Sequence, residues 1–315
     1  MLYGFIRSKG VARLKERLKG FIDLTRLQFG FAWPLLFCSG LLLAFQQYGG
    51  FDEIILLKAI VIGFFGFEAG LILNDYVDKE YDKKDVEGRL TNYWRVYKER
   101  PIPAGLISPR VALLLFFLFA GIAAMVIATI PYPNSLYLYA IMIYGYSVEV
   151  FYQVKKRKQK YPVAQLLGRT DFSLFPVAGY LMVGSPDLIA LLYFLFFYPF
   201  AMAHLGANDL VDFKNDLARR MKSVAVLYGL SGTARWVLAF TMLHVCTSLL
   251  FAYFLGWEVL IGFSIGFVLL GIANFLIMKQ KTPAIGLKVL PMFHVTMIVY
   301  SLTLIVFSIL STSAI

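Results

Sequence analysis

Nine long apolar runs govern what this chain can fold into, near residues 27–48, 54–74, 111–130, 134–152, 161–185, 187–208, 234–255, 257–278 and 288–311. A helix crosses the hydrocarbon core of a bilayer with about 20 such residues. Each run is close to that length or longer, and Trp and Tyr stand near several ends, where interfacial anchoring puts them. Charged residues fill only 16% of the 315 positions, against about 25% in soluble domains. An ordinary soluble protein is excluded, and so is disorder. The expected fold is all-α, a multi-pass membrane protein with nine transmembrane helices around a central cavity.

Charge placement supports that count. The chain carries 30 Lys and Arg against 19 Asp and Glu. If all nine runs cross, 28 of the 30 basic residues fall on one side, and only Lys58 and Arg169 do not. The positive-inside rule then puts the N-terminus and the even-numbered connections in the cytoplasm. A nucleic-acid partner is not expected, because the basic residues follow membrane topology. Residues 5–24 mix basic and apolar positions at helical spacing, which predicts an amphipathic helix on the cytoplasmic leaflet. The chain therefore divides into an interfacial segment, 1–25, and a transmembrane domain, 26–315. Two inner connections, near 75–110 and 209–233, are long and charged, and function is expected there.

Both connections begin with the same pattern. Asn74-Asp75-Tyr76-Val77-Asp78-Lys79-Glu80-Tyr81-Asp82 and Asn208-Asp209-Leu210-Val211-Asp212-Phe213-Lys214-Asn215-Asp216 agree at five of nine positions. Residues i, i+4 and i+8 advance by only about 40° per step around a helix. Asn74, Asp78 and Asp82 thus share one face, and Asn208, Asp212 and Asp216 share another. Partly buried carboxylates that face each other need cations. Their oxygens suit Mg²⁺, which keeps several waters and binds substrate phosphates through one or two carboxylates. Two ions between two acidic stripes could hold a diphosphate. The adjoining loops supply basic residues: Arg89, Arg95, Lys98 and Arg100; Lys155, Lys156, Arg157 and Lys158; Arg219, Arg220 and Lys222.

The stripes continue into the membrane. Gly66 and Gly70 lie below Asn74 and predict close helix packing or room for a lipid tail. Glu68, Glu149, Arg169 and Asp171 interrupt apolar runs and predict a polar central chamber. A divalent-cation transporter is the alternative reading. Transporter sites lie near the bilayer midplane, whereas these motifs sit at helix ends beside basic loops that repel cations.

At these residues the chain resembles the UbiA family of intramembrane prenyltransferases, and it looks like an archaeal member. The family carries N-x-x-x-D-x-x-x-D at the end of its second helix and another acidic motif at the end of its sixth. Arg89 and Arg100-Pro101-Ile102-Pro103-Ala104-Gly105 match the Arg and the R-P-[LI]-x-x-G signature that follow the first motif. Tyr152, Lys156 and Arg157 match a Y-x-x-x-K-R element, and Arg26 matches an Arg that opens the first helix. One departure is a longer stretch between Asp82 and Arg100, containing Tyr93-Trp94-Arg95. The resemblance implies Mg²⁺-dependent transfer of a prenyl group from an isoprenyl diphosphate to a lipophilic acceptor, such as a quinone precursor or a glycerolipid. Asp78, Asp82, Asp212 and Asp216 are then the catalytic metal ligands of two Mg²⁺ ions. Asn74 and Asn208 orient metal or diphosphate beside them. Arg26, Arg89, Tyr152, Lys156 and Lys222 are the implied diphosphate contacts.

Overall fold

The computed structural model describes residues 14–313, and the described part of the expected interfacial helix is α1, residues 14–24. Residues 5–13 of that expectation lie outside the described residues. The elements that follow are α2 (Ala32–Tyr48), α3 (Glu53–Asp82), α4 (Arg89–Trp94), α5 (Pro109–Ile127) and α6 (Asn134–Lys155). Then come α7 (Val163–Gly168), α8 (Thr170–Tyr180), α9 (Leu188–Arg219), α10 (Val224–Leu255), α11 (Leu260–Gln280) and α12 (Pro283–Ser313). Among the described residues no strand forms.

Seven helices are long and apolar enough to cross a membrane: α2, α3, α5, α9, α10, α11 and α12. The other two apolar runs take a different form. The run at 134–152 becomes α6, which turns the polar groups of Tyr146, Glu149, Tyr152 and Gln153 toward a cavity. The run at 161–185 is not one helix. It breaks into α7 and α8 at Arg169, whose φ of −88° and ψ of 1° leave the helical region. Gly168, just before the break, lies so close to Tyr152 that a Cβ would stand 2.6 Å from that ring.

Side chains start the long helices. Asp52 accepts hydrogen bonds from the amides of Ile54 and Ile55 at the head of α3, and Asp187 accepts one from Ala190 at the head of α9. Ser108 does the same for α5 with Pro109 at its first position. These groups satisfy amides that have no partner within the helix.

Helix α9 is the central strut and packs against α8, α10 and α12, while α3 packs against α2, α5 and α6. Contacts of α2 with α3, α8 and α12 join the two groups. Phe196, Phe197 and Phe200 of α9 are buried in the core. Leu114, Phe117 and Leu118 of α5, and Ile261, Val268 and Phe275 of α11, are exposed. An apolar outer surface over helices with internally satisfied backbones is what a bilayer accepts. The end of α1 joins this body, since Leu24 packs with Ile72, Ile102, Ile107 and Ala112. Asp23 accepts from the amides of Tyr97 (2.8 Å) and Glu99 (3.1 Å), which fixes the chain after α4.

Helices α2 and α8 cross with their backbones in contact. A Cβ on Gly40 would stand 1.9 Å from the Pro176 carbonyl oxygen, and one on Gly179 would stand 1.9 Å from that of Phe37. Backbone lies on the far side of each contact, so the helices must separate to admit even a methyl group. Gly40→Ala and Gly179→Ala should each destabilise the detergent-solubilised protein by about 1–3 kcal/mol, the usual cost of overpacking. Gly121→Ala should not, because nothing lies within 4 Å of that position. Equal melting temperatures for all three variants would refute the close-packing account.

Candidate active site

A cavity of about 330 Å³ opens between α2, α3, α5, α6, α8 and α9, with Leu90 and Trp94 of α4 over one end. The expected ring of nine helices therefore narrows. Among the described residues α10, α11 and α12 contribute nothing to the lining. They pack behind α9 and α2 instead. The inner wall is apolar, with Trp33, Phe67, Phe172 and Phe175 among its aromatic members. Gly66 and Gly70 are on this wall, and a Cβ on either would come no closer than 4.0 Å to a neighbour. They leave room in the cavity rather than bring helices together.

Both acidic stripes reach the charged end of the cavity. Asn74, Asp78 and Asp82 line it from α3, and Asn208, Asp212 and Asp216 line it from α9. Basic side chains meet most of these carboxylates. Asp78 pairs with Lys156 at 2.9 Å and Arg157 at 3.1 Å. Asp82 pairs with Arg100 at 2.6 Å and Arg219 at 3.4 Å. Arg219 also reaches Asp212 at 3.4 Å and contacts Asp85. At Lys156 burial opposes the charged form, but Asp78, Tyr152 and Asp216 together outweigh it, Asp78 foremost, and raise the pKa above the ordinary lysine value.

The remaining contacts are hydrogen bonds rather than ion pairs. Asn74 donates to Glu149 at 2.6 Å, and Gln153 donates to the same oxygen at 2.6 Å. Asn208 lies 3.1 Å from the His204 ring nitrogen, and His204 lies 3.1 Å from His294 of α12. Asp212 accepts from Asn215 at 2.7 Å.

The expected diphosphate contacts divide into two groups. Arg26, Tyr152 and Lys156 line the cavity. Arg89 does not; it pairs with Glu87 at 2.9 Å. Lys222 does not either, since its side chain is exposed and its amide donates to the Lys156 carbonyl at 2.7 Å. Arg95, Arg100 and Arg219 take up positions on the lining instead. In the sequence Arg95 and Arg219 stand only as a general supply of charge, and Arg100 also opens the R-P-[LI]-x-x-G signature without a role of its own. Asp75 was missed as a structural centre. It sits one residue off the Asn74 stripe and binds Arg26 at 2.8 Å and Arg95 at 2.7 Å.

The stretch with Tyr93-Trp94-Arg95 forms the cap. Its helix α4 is tied at its C-terminal end: the Tyr93 hydroxyl meets His294 at 2.6 Å, and Gln28 donates to the Trp94 carbonyl. The loop before α4 is clasped by Asn215. That side chain accepts from the amides of Val86 and Glu87, both at 2.9 Å, and donates to the Glu87 carbonyl at 2.8 Å.

The donor set suits a hard cation. Asp82 Oδ1 is buried and accepts no hydrogen bond, and all the stripe side chains offer oxygen. Among the described residues, no three acidic, His or Cys groups are gathered tightly enough to enclose an ion by themselves. That agrees with an ion held through one or two carboxylates, with ligand oxygens and water completing its shell.

Comparison with known proteins gives the same direction. The model of the UbiA prenyltransferase family matches residues 31–308. The 4-hydroxybenzoate octaprenyltransferase of Aeromonas salmonicida (strain A449) is 29% identical over 217 residues, covering 68% of this chain and 70% of that protein. A solved digeranylgeranylglyceryl phosphate synthase superposes with a TM-score of 0.67 at 21% identity, over 93% of this chain and 99% of the other. A UbiA homologue from Archaeoglobus fulgidus bound to DMAPP and Mg²⁺ gives a TM-score of 0.57 at 15% identity, over 91% and 99%.

The clasp can be tested apart from any activity. Asn215→Ala removes three hydrogen bonds between α9 and the loop before α4. Trypsin should then cut after Lys83 or Lys84 several times faster, while the protein keeps its size-exclusion profile. An unchanged cleavage rate would show that the clasp does not hold the loop.

Proposed function

The chain belongs to the UbiA prenyltransferase family and is a multi-pass membrane prenyltransferase; on that premise we propose that it moves an allylic prenyl group from an isoprenyl diphosphate to a lipophilic acceptor, using two Mg²⁺ ions held at the two acidic stripes. The observation that carries this reading is the cavity's division. One end holds six stripe side chains and a belt of arginines and lysine, and apart from a polar group at Glu149, Gln153, Arg169, Asp171 and His204 the rest of the wall is mostly apolar and aromatic. A diphosphate with a prenyl tail has the same division. The Mg²⁺ site of the Archaeoglobus homologue adds support. We further propose nine membrane crossings with the N-terminus and the cap loops in the cytoplasm, on the strength of the charge asymmetry.

Asp78, Asp82, Asp212 and Asp216 would hold the ions, with Asn74 and Asn208 beside them. Bound there, Mg²⁺ supplies positive charge against the diphosphate as the C–O bond breaks. The residues of the chain do the rest. Arg26, Arg100, Lys156 and Arg219 are already at the cavity, paired with carboxylates. With Asp78, Asp82 and Asp212 turned to metal, Arg100, Lys156 and Arg219 would become available to phosphate oxygens, where charge develops in the transition state, while Arg26 stays on Asp75 at the cavity's edge. C–O cleavage leaves the electron pair on the diphosphate and an allylic carbocation on the tail. Trp33, Phe67, Phe172 and Phe175 offer aromatic faces to that cation. The apolar wall keeps water from reaching it. The acceptor then forms the new bond to the cationic carbon and gives up the proton it carried at that position, which the departed diphosphate can take.

Asp78→Ala and Asp212→Ala should each lower Mg²⁺-dependent prenyl transfer by more than about a hundredfold, the scale on which charge-stabilising groups act. Both proteins should still express and elute as the unmodified chain does. Wild-type activity should also vanish on chelation. Full activity in either variant, or activity indifferent to a chelator, would overturn the reading.

A further inference from the structure

We propose that Arg169 is the anion-binding post of the acceptor's subsite, so that the acceptor carries a carboxylate or a phosphate together with a hydroxyl group; the inference rests on the prenyl-transfer reading above. Six basic side chains line the cavity: Arg26, Arg95, Arg100, Lys156, Arg169 and Arg219. Five of them form ion pairs with carboxylates. Arg169 is the exception. Among the described residues no carboxylate oxygen lies within ion-pair distance of it, and its buried Nε has no hydrogen-bond acceptor. The Tyr152 ring lies 5.5 Å from its Cζ.

Its placement is deliberate in structural terms. The helix breaks at this residue, and the guanidinium reaches the cavity rather than lipid. Arginine in an apolar run is costly and normally faces a partner or a functional cavity. Here the partner belongs to a ligand. The planar fork of a guanidinium matches carboxylate and phosphate oxygens two at a time.

The neighbours narrow the ligand further. Glu149 and Asp171 also line the cavity, and together with Asp209 they act on Arg169 through space. One Glu149 oxygen is taken by Asn74 and Gln153, and one Asp171 oxygen by the Phe172 amide. The second Glu149 oxygen has no hydrogen-bond donor among the described residues and can accept from a hydroxyl. The same carboxylates disfavour a group as highly charged as a diphosphate. The acidic stripes, with Arg100, Lys156 and Arg219 paired to them, already provide for that group. A singly anionic head with an adjacent hydroxyl fits both halves of this subsite, whether it is a hydroxylated aromatic acid or a glyceryl phosphate lipid.

The test is binding to the full-length protein in detergent, with Mg²⁺ and a non-cleavable thio analogue of geranyl diphosphate present. Four probes are compared: 4-hydroxybenzoate, its neutral 4-hydroxybenzyl alcohol, a geranylgeranylglyceryl phosphate, and its dephosphorylated form. At least one anionic probe should bind about 10- to 100-fold more tightly than its neutral counterpart, the scale of a charged hydrogen bond. Arg169→Met should abolish that preference and leave the affinity for the thio analogue unchanged. Arg169→Lys should keep part of the preference, which guards against a variant that merely misfolds. Which probe is preferred distinguishes carboxylate from phosphate. The inference is overturned if neither anionic probe is preferred, if Arg169→Met keeps the preference, or if that variant weakens the thio analogue equally. Failure of the unmodified protein to bind the thio analogue with Mg²⁺ would overturn the prenyl-transfer reading, and the inference with it.

Discussion

Burial of carboxylates at two helix ends is the constraint on which the rest of this structure depends. Asp78 and Asp82 end α3, Asp212 and Asp216 end α9, and all four face one cavity. Carboxylates so placed must be neutralised, and removing one partner of a buried pair costs about 3–5 kcal/mol. The chain meets that demand by folding its loops inward. Arg100 comes from the stretch after α4, Lys156 and Arg157 from the end of α6, and Arg219 from the end of α9. These loops are ordered because the acidic residues are there to receive them. Asp75 does the same for the cap, drawing Arg26 and Arg95 onto one carboxylate.

Much of this was legible in the sequence, and the parts that were not share a physical reason. Apolar length fixes helices, so most of the nine runs could be read directly. Helical periodicity fixes faces, so Asn74, Asp78 and Asp82 could be placed on one side and Asn208, Asp212 and Asp216 on another. Neither signal says where a loop folds back. Arg89 and Arg100 are both basic residues in one connection, yet Arg89 turns to its neighbour Glu87 while Arg100 reaches Asp82. Lys222 contributes its amide to the end of α6 rather than its charge to the cavity. Local composition is the same in each case, and tertiary packing decides. The break at Arg169 was visible as a charge inside an apolar run, but not as a break.

The division between chamber and scaffold also has a physical basis. Glycines serve opposite ends in the two regions. Gly40 and Gly179 bring α2 and α8 into backbone contact, which makes that wall rigid. Gly66 and Gly70 face space, which keeps the chamber wide enough for a chain of carbons. Sequence spacing alone does not separate these roles, because both pairs lie in apolar helices.

Arg219 gives the molecule a property that neither acidic stripe has alone. Its guanidinium touches Asp82 of the first stripe, Asp212 of the second, and Asp85 of the loop between α3 and α4. The two stripes belong to distant parts of the chain and share this single counter-ion. Drawing either carboxylate away leaves the guanidinium undercompensated and strengthens its hold on the other. The occupancies of the two stripes are therefore not independent, and one buried residue makes the pair behave as a single two-pronged receptor.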